Sequence, residues 1–457
     1  MKTIIEPFRI KSVEPLKFTT REFRETVLKE AHYNLFKIKA DDVLIDLLTD
    51  SGTSAMSSEQ WAGVMRADES YAGSSSFYRF QESIQDLFGM PYVIPTHQGR
   101  AAERILFSSI LKEGDVVPAN THFDTTRANI EFQKAKAVDL LIDEGKNPSL
   151  IYPFKGNIDL EKLKKLIDEV GAGRIPLCIL TITNNSGGGQ PASLENIKQV
   201  KEMLSQHNIP LFIDAARFAE NAYFIKLREK PYQNDSVKNI VRKIFSYADG
   251  ILMSAKKDGF GNMGGFLAFK DKKWVELTRD LLILTEGFPT YGGLAGRDLE
   301  ALAIGLKEVI DEDYLKYRIR SVAYFAEKLV DLDVPLMLPA GGHAVYIDAK
   351  NLLPHIPPLQ YPGHALAVEL YREGGVRSVE IGSCMFGKID ELNQKEEASD
   401  MELVRLALPR RAYTQSHIDY VIEVIENVYK RKDKIRGFRI VEGPKYLRHF
   451  TAKFSSV

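Results

Sequence analysis

Six short apolar runs between residues 90 and 270 constrain the fold of this chain more than any other feature of its sequence. They fall at residues 92–94, 137–142, 178–182, 211–213, 251–253 and 266–269. The segments between them are longer, and apolar residues recur there at helical spacing, as in residues 160–170 and 194–204. Runs of this length fit strands that are buried on both faces of a mostly parallel sheet. We therefore predict an open α/β sheet with helices on both of its faces.

The pattern changes after about residue 310, where the sequence predicts a smaller α+β unit. A long amphipathic helix over residues 314–332 precedes strands at 335–338 and 344–347, and a helix over 365–371 precedes strands at 376–381 and 403–408. A last helix begins near Thr414, and the polar run 388–402 is predicted to be a solvated surface loop. We expect an N-terminal arm over residues 1–45 that joins part of the small domain, a large domain over 46–310, and a small C-terminal domain over 311–457.

Composition and charge exclude several classes of function. The chain has 457 residues, with 61 Lys plus Arg against 62 Asp plus Glu and a formal net charge of -1. This balance gives no electrostatic footprint for nucleic acid or for an anionic membrane surface. Two cysteines, Cys178 and Cys384, are too few for a disulfide framework, which favours a reducing compartment. Because neither a membrane-length apolar stretch nor a signal peptide is evident, we expect a cytoplasmic protein.

Several motifs of common α/β enzymes are missing. Residues 382–389 nearly spell a phosphate-binding P-loop, but Ile389 stands where that loop needs a Ser or Thr to bind Mg²⁺. No GxGxxG follows a predicted strand, no histidine pair has the HExxH spacing of a zinc site, and no GxSxG elbow is present. The sequence therefore gives no support to a kinase, a hydride-transfer enzyme or an α/β-hydrolase.

Ligands of an open α/β sheet bind beyond the carboxyl ends of its strands, so the residues that follow each predicted strand are candidates for a site. Asp214 and Arg217 follow the run 211–213, whereas Ser254 and the adjacent Lys256 and Lys257 follow the run 251–253. Residues 95–100 (PTHQGR) open a helix after the first run, and residues 184–189 (NNSGGG) follow the third. Each of these alone has an ordinary explanation as a helix cap, a turn or an exposed charge.

Together these segments supply the groups that pyridoxal 5'-phosphate (PLP) requires. An amine forms a Schiff base with the cofactor, and an anion keeps the pyridine nitrogen protonated so that the ring withdraws electrons. A helix that opens on glycine binds the phosphate through free backbone N–H groups. The residues alone therefore predict a PLP enzyme. A protein of the PLP fold that acts only by binding, and a nucleotide-binding α/β enzyme, remain open as alternatives.

Longer motifs resemble the aromatic-amino-acid β-eliminating lyases, a family whose members cleave tryptophan or tyrosine. The motifs are residues 45–53 (IDLLTDSGT), 68–74 (DESYAGS), 95–100 (PTHQGR), 123–126 (FDTT), 214–226 (DAARFAENAYFIK), 253–258 (MSAKKD) and 291–298 (YGGLAGRD). The resemblance extends from residues 6–11 to residues 447–453, which is essentially the whole chain. It implies the aminotransferase-like fold (fold type I) of PLP-dependent enzymes, with residues 46–310 as the large PLP-binding domain.

The resemblance also implies a role for each residue around the cofactor. Lys257 would form the covalent bond with PLP and act as a catalytic residue. Asp214 would pair with the pyridine nitrogen, Arg217 and Asn185 would contact the ring oxygen, and Phe123 would stack on the ring. The implied phosphate-binding residues are Gln98, Gly99, Arg100 and Ser254.

Substrate, cation and subunit contacts are implied in the same way. Family members bind a monovalent cation, K⁺, which here would involve Glu69 and the carbonyl groups of Gly52 and Asn262. They are homotetramers with active sites at subunit interfaces, in which Tyr71 would reach the neighbouring subunit's site as a catalytic residue. The residues expected to bind the substrate carboxylate are Thr49, Ser51, Asn185 and Arg405, and an arginine suits this task because its two-pronged guanidinium matches a carboxylate.

Three positions indicate which aromatic ring is released. The tyrosine-cleaving members have Arg, Thr and Phe where this sequence has Ile381, Asp124 and His449. An apolar Ile381 with Asp124 and His449 as polar catalytic partners matches the tryptophan-cleaving members at all three positions. We therefore expect cleavage of L-tryptophan to indole, pyruvate and ammonia. The alternatives are cleavage of tyrosine to phenol, and a broad β-eliminating lyase that acts on serine and cysteine derivatives.

Overall fold

A seven-stranded sheet lies at the centre of the larger part of the molecule. The computed structural model describes residues 5–389, 395–444 and 447–457. The strands are β1 (Ile45–Asp46), β2 (Tyr92–Thr96), β3 (Val116–Ala119), β4 (Lys136–Asp139), β5 (Cys178–Thr181), β6 (Leu211–Asp214), β7 (Gly250–Ser254), β8 (Gly265–Phe269), β9 (Ala344–Asp348), β10 (Val376–Arg377), β11 (Val379–Ile381), β12 (Lys388–Ile389), β13 (Glu396–Glu397), β14 (Leu403–Ala407), β15 (Phe438–Glu442) and β16 (Lys453–Ser456). The large sheet has the order β2-β8-β7-β6-β5-β3-β4.

The large sheet is mostly parallel, as the apolar runs predict. Strands β4, β3, β5, β6 and β7 run parallel to one another, and only β8 is antiparallel to its neighbours β7 and β2. All six predicted runs form strands of this sheet. The seventh strand, β3, was not predicted because Pro118 interrupts its apolar sequence and cannot donate a backbone hydrogen bond. Strand β3 meets β5 at the single pair Ala119 and Ile179.

Helices cover both faces of the sheet and surround the smaller unit. They are α1 (Arg21–Glu30), α2 (Ser58–Met65), α3 (Ser75–Phe88), α4 (Gly99–Ile110), α5 (Asp124–Phe132), α6 (Leu160–Val170), α7 (Leu194–Gln206), α8 (Phe218–Arg228), α9 (Val237–Ser246), α10 (Lys272–Thr285), α11 (Gly296–Glu308), α12 (Glu312–Val330), α13 (Ala349–Leu352), α14 (Pro362–Gly374), α15 (Ser383–Phe386) and α16 (Gln415–Tyr429). Capping residues set several of their starts: the Ser193 side chain, for example, accepts a hydrogen bond from Asn196 N and begins α7. None of the helices in the described ranges is both long and apolar enough to cross a bilayer.

The smaller unit combines a short antiparallel sheet with residues from both ends of the chain. Strand β14 lies between β11 and β9, and β1 pairs with β10 across the length of the sequence. One apolar cluster contains Leu28, Leu35 and Leu47 together with residues of α12, α14 and α16. Helix α12 packs its first residues, including Tyr314, against the core of the large sheet. The proposed boundaries at residues 45/46 and 310/311 stay a prediction.

Two local predictions in this unit are wrong. Residues 335–338 do not form a strand, because only Leu336 makes a bridge, to Ile347. The polar run 388–402 is not simply a solvated loop: β12 pairs with β13, and Glu402 at its end is buried. Residues 390–394 of the same run lie outside the described residues. The polar sequence gives no sign of these contacts, because the buried Glu402 Oε1 accepts from Ser383 N at the start of α15, a contact made within the fold.

Candidate active site

A cavity of about 280 Å³ lies where the carboxyl ends of β5, β6 and β7 meet the smaller unit. Its position is the one expected for a ligand site of an open α/β sheet. Fourteen of the residues predicted for the site line this cavity: Thr49, Ser51, Gln98, Gly99, Arg100, Phe123, Asp124, Asn185, Asp214, Arg217, Ser254, Lys257, Arg405 and His449. The sheet and the smaller unit thus bring together residues that are more than 300 positions apart in sequence.

Lys257 lies in the floor of the cavity directly after β7. Its Nζ donates hydrogen bonds to Ser254 Oγ at 2.8 Å and to Ser51 Oγ at 3.4 Å. Burial, with the positive charge of Arg217, lowers the pKa of the Lys257 amine to about 7. Near neutral pH a large fraction of this amine is therefore unprotonated and able to react as a nucleophile.

Asp214 ends β6 on the same side of the cavity. Its Oδ1 accepts a hydrogen bond from Ala216 N at 3.1 Å. Burial raises the pKa of Asp214, whereas the backbone hydrogen bond and the charges of Lys257 and Arg217 act in the opposite direction. A buried carboxyl group at this position can pair with a cationic heterocyclic nitrogen.

The amino end of α4 has the features of a phosphate-binding site. Gly99 begins the helix, and Gln98 before it makes no side-chain capping bond to the free N–H groups. A Cβ atom on Gly99 would lie 2.6 Å from Ser254 Cβ, so only glycine allows α4 and β7 to approach this closely. The helix N-terminus, the Arg100 side chain and the Ser254 hydroxyl together form a donor set suited to a phosphate.

Arg405 reaches the cavity from β14, and its contacts hold Asn185. Arg405 Nη1 donates to Asn185 Oδ1 at 3.0 Å, and Nη2 donates to the carbonyl of Leu48 at 2.9 Å. The same Asn185 Oδ1 lies 2.9 Å from His343 Nε2 and accepts from the Tyr346 hydroxyl at 2.9 Å. The buried Arg405 Nε has no hydrogen-bond partner among the described residues. The guanidinium therefore keeps a donor available for an anionic ligand such as a carboxylate.

Asp124 and His449 face each other on the opposite wall of the cavity. Asp124 begins α5, and its Oδ2 lies 3.1 Å from His449 Nε2, although the geometry is not that of an aligned hydrogen bond. Both side chains are buried. The ring of Phe450 lies 4.0 Å from the His449 ring and 4.9 Å from the Phe36 ring, measured between centroids. This wall therefore combines an ionisable pair with flat apolar surface, which suits an aromatic ligand that carries a polar N–H group.

Five predicted site residues do not line the cavity. Ile381 is 2% exposed and packs with Val379 and Leu403 in the adjoining apolar cluster. Tyr71 is 68% exposed, and its ring packs against Phe288 and Tyr291.

The three predicted cation ligands are only partly together. Asn262 Nδ2 donates to the carbonyl of Gly52 at 2.9 Å. Glu69 instead accepts hydrogen bonds from Gly296 N at 2.7 Å and Arg297 N at 3.2 Å, at the start of α11. Within the described ranges no hydrogen bond joins Glu69 to the Gly52–Asn262 pair.

Several cavity residues were missed from the sequence. Glu103 on α4 accepts a hydrogen bond from Thr126 Oγ1 at 2.5 Å, and burial raises the pKa of its carboxyl to about 7. Its position four residues after Gly99, on the same face of the helix, is a signal that could have identified it. Phe36, Met385 and Phe450 have no comparable local signal.

Known proteins resemble this chain along its whole length. The sequence profile of the beta-eliminating lyases matches residues 46–424. The chain belongs to this family. The lyase is 61% identical over 452 residues to a tryptophanase from Salinibacter ruber, covering 99% of this chain and 95% of that protein. It is 58% identical over 457 residues to a tryptophanase from Rhodobacter capsulatus, with complete coverage of both chains.

More distant relatives and a solved structure complete the comparison. The lyase is 49% identical over 449 residues to a tyrosine phenol-lyase from Pasteurella multocida, with 98% of each chain covered. A chain in the crystal structure of the SepCysS–SepCysE N-terminal domain complex aligns with the lyase at a TM-score of 0.53 and 16% identity, covering 86% of the lyase and 96% of that chain. At that identity the likeness concerns the fold alone. The predicted family and the predicted α/β fold of type I are confirmed.

Proposed function

We propose that this lyase uses PLP to cleave L-tryptophan with water to indole, pyruvate and ammonia. The observation that carries this proposal is the Asp124–His449 pair, which lies in the same cavity as Lys257 and Arg405. Relatives named tryptophanase are 58% to 61% identical to the lyase, whereas those named tyrosine phenol-lyase are 46% to 49% identical. The residues of the cavity and the order of similarity therefore support the same substrate.

The residues present fit PLP in each of its parts. The N-terminus of α4, with Gln98, Gly99, Arg100 and Ser254, would hold the phosphate. Asp214 would pair with the pyridine nitrogen, and Phe123 would cover the ring. Arg217 and Asn185 would donate to the ring oxygen, and the Lys257 amine would bond to the aldehyde carbon. When bound, PLP supplies an electron-withdrawing ring that stabilises negative charge at the α-carbon of the substrate.

The residues of the lyase would bind the amino acid and move its protons. Arg405 and Asn185, with Thr49 and Ser51, would hold the carboxylate and fix the orientation of the α-carbon. The lowered pKa of Lys257 leaves its amine able to accept the α-proton near neutral pH. Ser51 and Ser254 orient that amine through their hydroxyl groups.

The indole ring departs as a carbon leaving group, which requires a proton on the ring carbon. We assign delivery of this proton to the Asp124–His449 pair, because the pair lies on the apolar wall formed with Phe36 and Phe450. A positioned acid contributes about 10²–10⁴-fold to such a step. Ile381, behind this wall, would help to shape the space for the indole.

We also propose three properties that concern the whole enzyme. Its K⁺ site would include the carbonyls of Gly52 and Asn262, in two segments joined by the hydrogen bond from Asn262 Nδ2 to the Gly52 carbonyl, with Glu69 contributed across a subunit interface. The exposed Tyr71 would reach the active site of a neighbouring subunit in a homotetramer. A cytoplasmic location agrees with the free thiols of Cys178 and Cys384.

Purified lyase incubated with PLP and either L-tryptophan or L-tyrosine tests the proposal. We expect indole from tryptophan, much faster than phenol from tyrosine, and pyruvate in equal amount to indole. Faster release of phenol would establish the tyrosine-cleaving alternative, and a broad lyase would act best on S-alkyl cysteine. A protein that binds PLP and turns over none of these would act by binding alone, and a colourless protein with no PLP affinity would favour a nucleotide site.

A further inference from the structure

Six buried charged side chains form a continuous network beneath the cavity. Three arginines, Arg217, Arg318 and Arg410, contact three acidic residues, Asp50, Glu220 and Asp258, so their formal charges cancel. All six are at most 4% exposed. Buried charges require this kind of pairing, because an uncompensated charge carries a large desolvation penalty. The network joins three segments of the chain. One carries Lys257, one carries Arg217, and the third is the Thr49–Ser51 loop.

Asp50 holds the Arg217 guanidinium from one side. Arg217 Nε donates to Asp50 Oδ2 at 2.9 Å, and Arg217 Nη2 donates to Asp50 Oδ1 at 2.7 Å. This two-point contact fixes the plane of the guanidinium as well as its position. Arg217 Nη1 makes no hydrogen bond with any described residue, and the Arg217 side chain lines the cavity. The donor that remains is thus the one available to a ligand.

Arg410 in turn holds Asp50 in place. Its Nη1 donates to Asp50 Oδ2 at 2.8 Å, while its Nη2 donates to Glu220 Oε1 at 2.9 Å and to Asp258 Oδ1 at 2.7 Å. Asp258 directly follows Lys257, and its Oδ2 accepts from Ala219 N at 2.8 Å. One fully buried guanidinium therefore links Asp50 to the segment that carries the reactive lysine.

We propose that Asp50 is a positioning residue, which holds Arg217 so that its free Nη1 meets the cofactor ring and which balances the charge of Arg217 beside Lys257. This inference deepens the proposed PLP site and rests on it. Asp50 is not among the residues that line the cavity, so it would act through Arg217.

The charges that face Lys257 indicate how loss of the Asp50 charge would change protonation of the lysine nitrogen. They are the cations Arg217 and Lys256 and the anions Asp50 and Asp214. Without the Asp50 charge, Arg217 stays positive beside the lysine nitrogen and disfavours its protonated form. The visible absorbance of bound PLP reports protonation of that nitrogen, so its titration midpoint should move to lower pH.

Asp50→Asn is the first test, with Asp86→Asn as its matched control. Asp86 also pairs with two cations, Lys238 and Arg242, but it lies on the surface of α3 away from the cavity. We expect Asp50→Asn to weaken PLP binding, measured by equilibrium dialysis, by about tenfold or more, as for a lost charged hydrogen bond. We also expect the absorbance midpoint to fall by about one pH unit. Asp86→Asn should change neither quantity.

A double-mutant cycle with Arg217→Gln separates positioning from general damage. If Asp50 acts through Arg217, Asp50→Asn should weaken PLP binding no further in the Arg217→Gln background. Full additivity of the two losses would overturn the inference, and so would wild-type affinity and midpoint in folded Asp50→Asn.

Asp50→Glu covers the case in which Asp50→Asn does not fold. The variant keeps the charge but displaces the carboxylate, so we expect weaker PLP binding than in the wild type, and unchanged affinity in this variant would overturn the inference. Failure of the wild-type lyase to bind PLP would count against the proposed function instead, whereas binding by the wild type with no effect at Asp50 would refute only the role of Asp50.

Discussion

The two walls of the cavity are built in different ways. The sheet wall consists of residues that follow strands of the large sheet, among them Asp214, Ser254 and Lys257. The outer wall consists of Phe36, His449 and Phe450, with Asp124 at the start of α5 and Met385 of the four-residue helix α15. Strand hydrogen bonds fix the first wall, whereas side-chain packing and a few buried polar contacts fix the second.

This difference matches a division of tasks. Steps that every substrate needs require fixed geometry, and residues at the ends of paired strands provide it. The choice of leaving group concerns the part of the substrate beyond the β-carbon, which the outer wall would face in the proposed binding mode. Two ring-releasing activities can therefore share one sheet wall and differ in a few residues of the outer wall.

The largest effect is expected on the sheet wall, from loss of Lys257. Lys257→Ala should abolish turnover of every substrate and remove the absorbance of covalently bound PLP, because we assign to its amine both the bond to the cofactor and acceptance of the α-proton. Lys256→Ala should retain that absorbance. Borohydride reduction followed by peptide mapping identifies the modified residue, and a label on Lys256 would contradict the assignment.

On the outer wall, loss of the ionisable pair should be selective. We expect His449→Phe and Asp124→Ala to slow indole release from tryptophan by about 10²–10⁴-fold, since a positioned acid supplies this much. Elimination from S-alkyl cysteine, whose leaving group needs no ring protonation, should slow far less. Steady-state rates on both substrates measure the ratio. Equal losses on the two would mean that the pair has a structural role and that the walls do not divide the tasks.

The outer wall should also depend on pH through two buried glutamates. Glu380 accepts from Cys384 N and Met385 N, and Glu402 accepts from Ser383 N and the Ser383 hydroxyl, so both hold α15. Burial raises the pKa of Glu402 to about 7, and burial beside Glu402 raises that of Glu380 to about 8.

The folded lyase therefore keeps protons that the unfolded chain releases above about pH 4.5, and its stability falls as pH rises from there to about 8. Glu402→Gln should remove part of this loss, about 1–3 kcal/mol at pH 8. Urea unfolding at pH 5.5 and pH 8, at one protein concentration, measures the change in the free energy of unfolding. Glu113→Gln, at an exposed position, is the control. An identical pH dependence in wild type and Glu402→Gln would refute ionisation of this pair.

The smallest effect is expected from the cation. A K⁺ ion on the carbonyls of Gly52 and Asn262 would act on the sheet wall, since Gly52 N donates to the carbonyl of Lys256 at 2.7 Å and Ser51 contacts Lys257. Replacing K⁺ by Na⁺ or tetramethylammonium should lower the rates severalfold, and by the same factor for tryptophan and S-alkyl cysteine. Equal rates in all three salts would remove the cation from the mechanism.

The sheet wall was largely predictable from the sequence because parallel strands place their carboxyl ends at one edge. Asp214, Ser254 and Lys257 follow from this rule as soon as the apolar runs are identified. Choosing Lys257 over Lys256 required the family resemblance, since both line the cavity and both amines have a lowered pKa.

The outer wall was predicted less completely, for a physical reason. Phe36, Met385 and Phe450 reach the cavity through packing between segments hundreds of residues apart, and no local periodicity records such contacts. Asp124 and His449 were identified only by resemblance, and Ile381 lies behind the wall rather than on it. Strand β3 was missed because Pro118 breaks an otherwise apolar run.

The contacts around Asn185 Oδ1 have a consequence for the entropy of ligand binding. Atoms of Arg405, His343 and Tyr346 all lie within 3.0 Å of that oxygen, so rotation of the amide is restricted during folding rather than during binding. Immobilising such a side chain on binding would cost about 0.5–1.5 kcal/mol. The folded protein therefore meets a ligand with the Asn185 side chain already held in place.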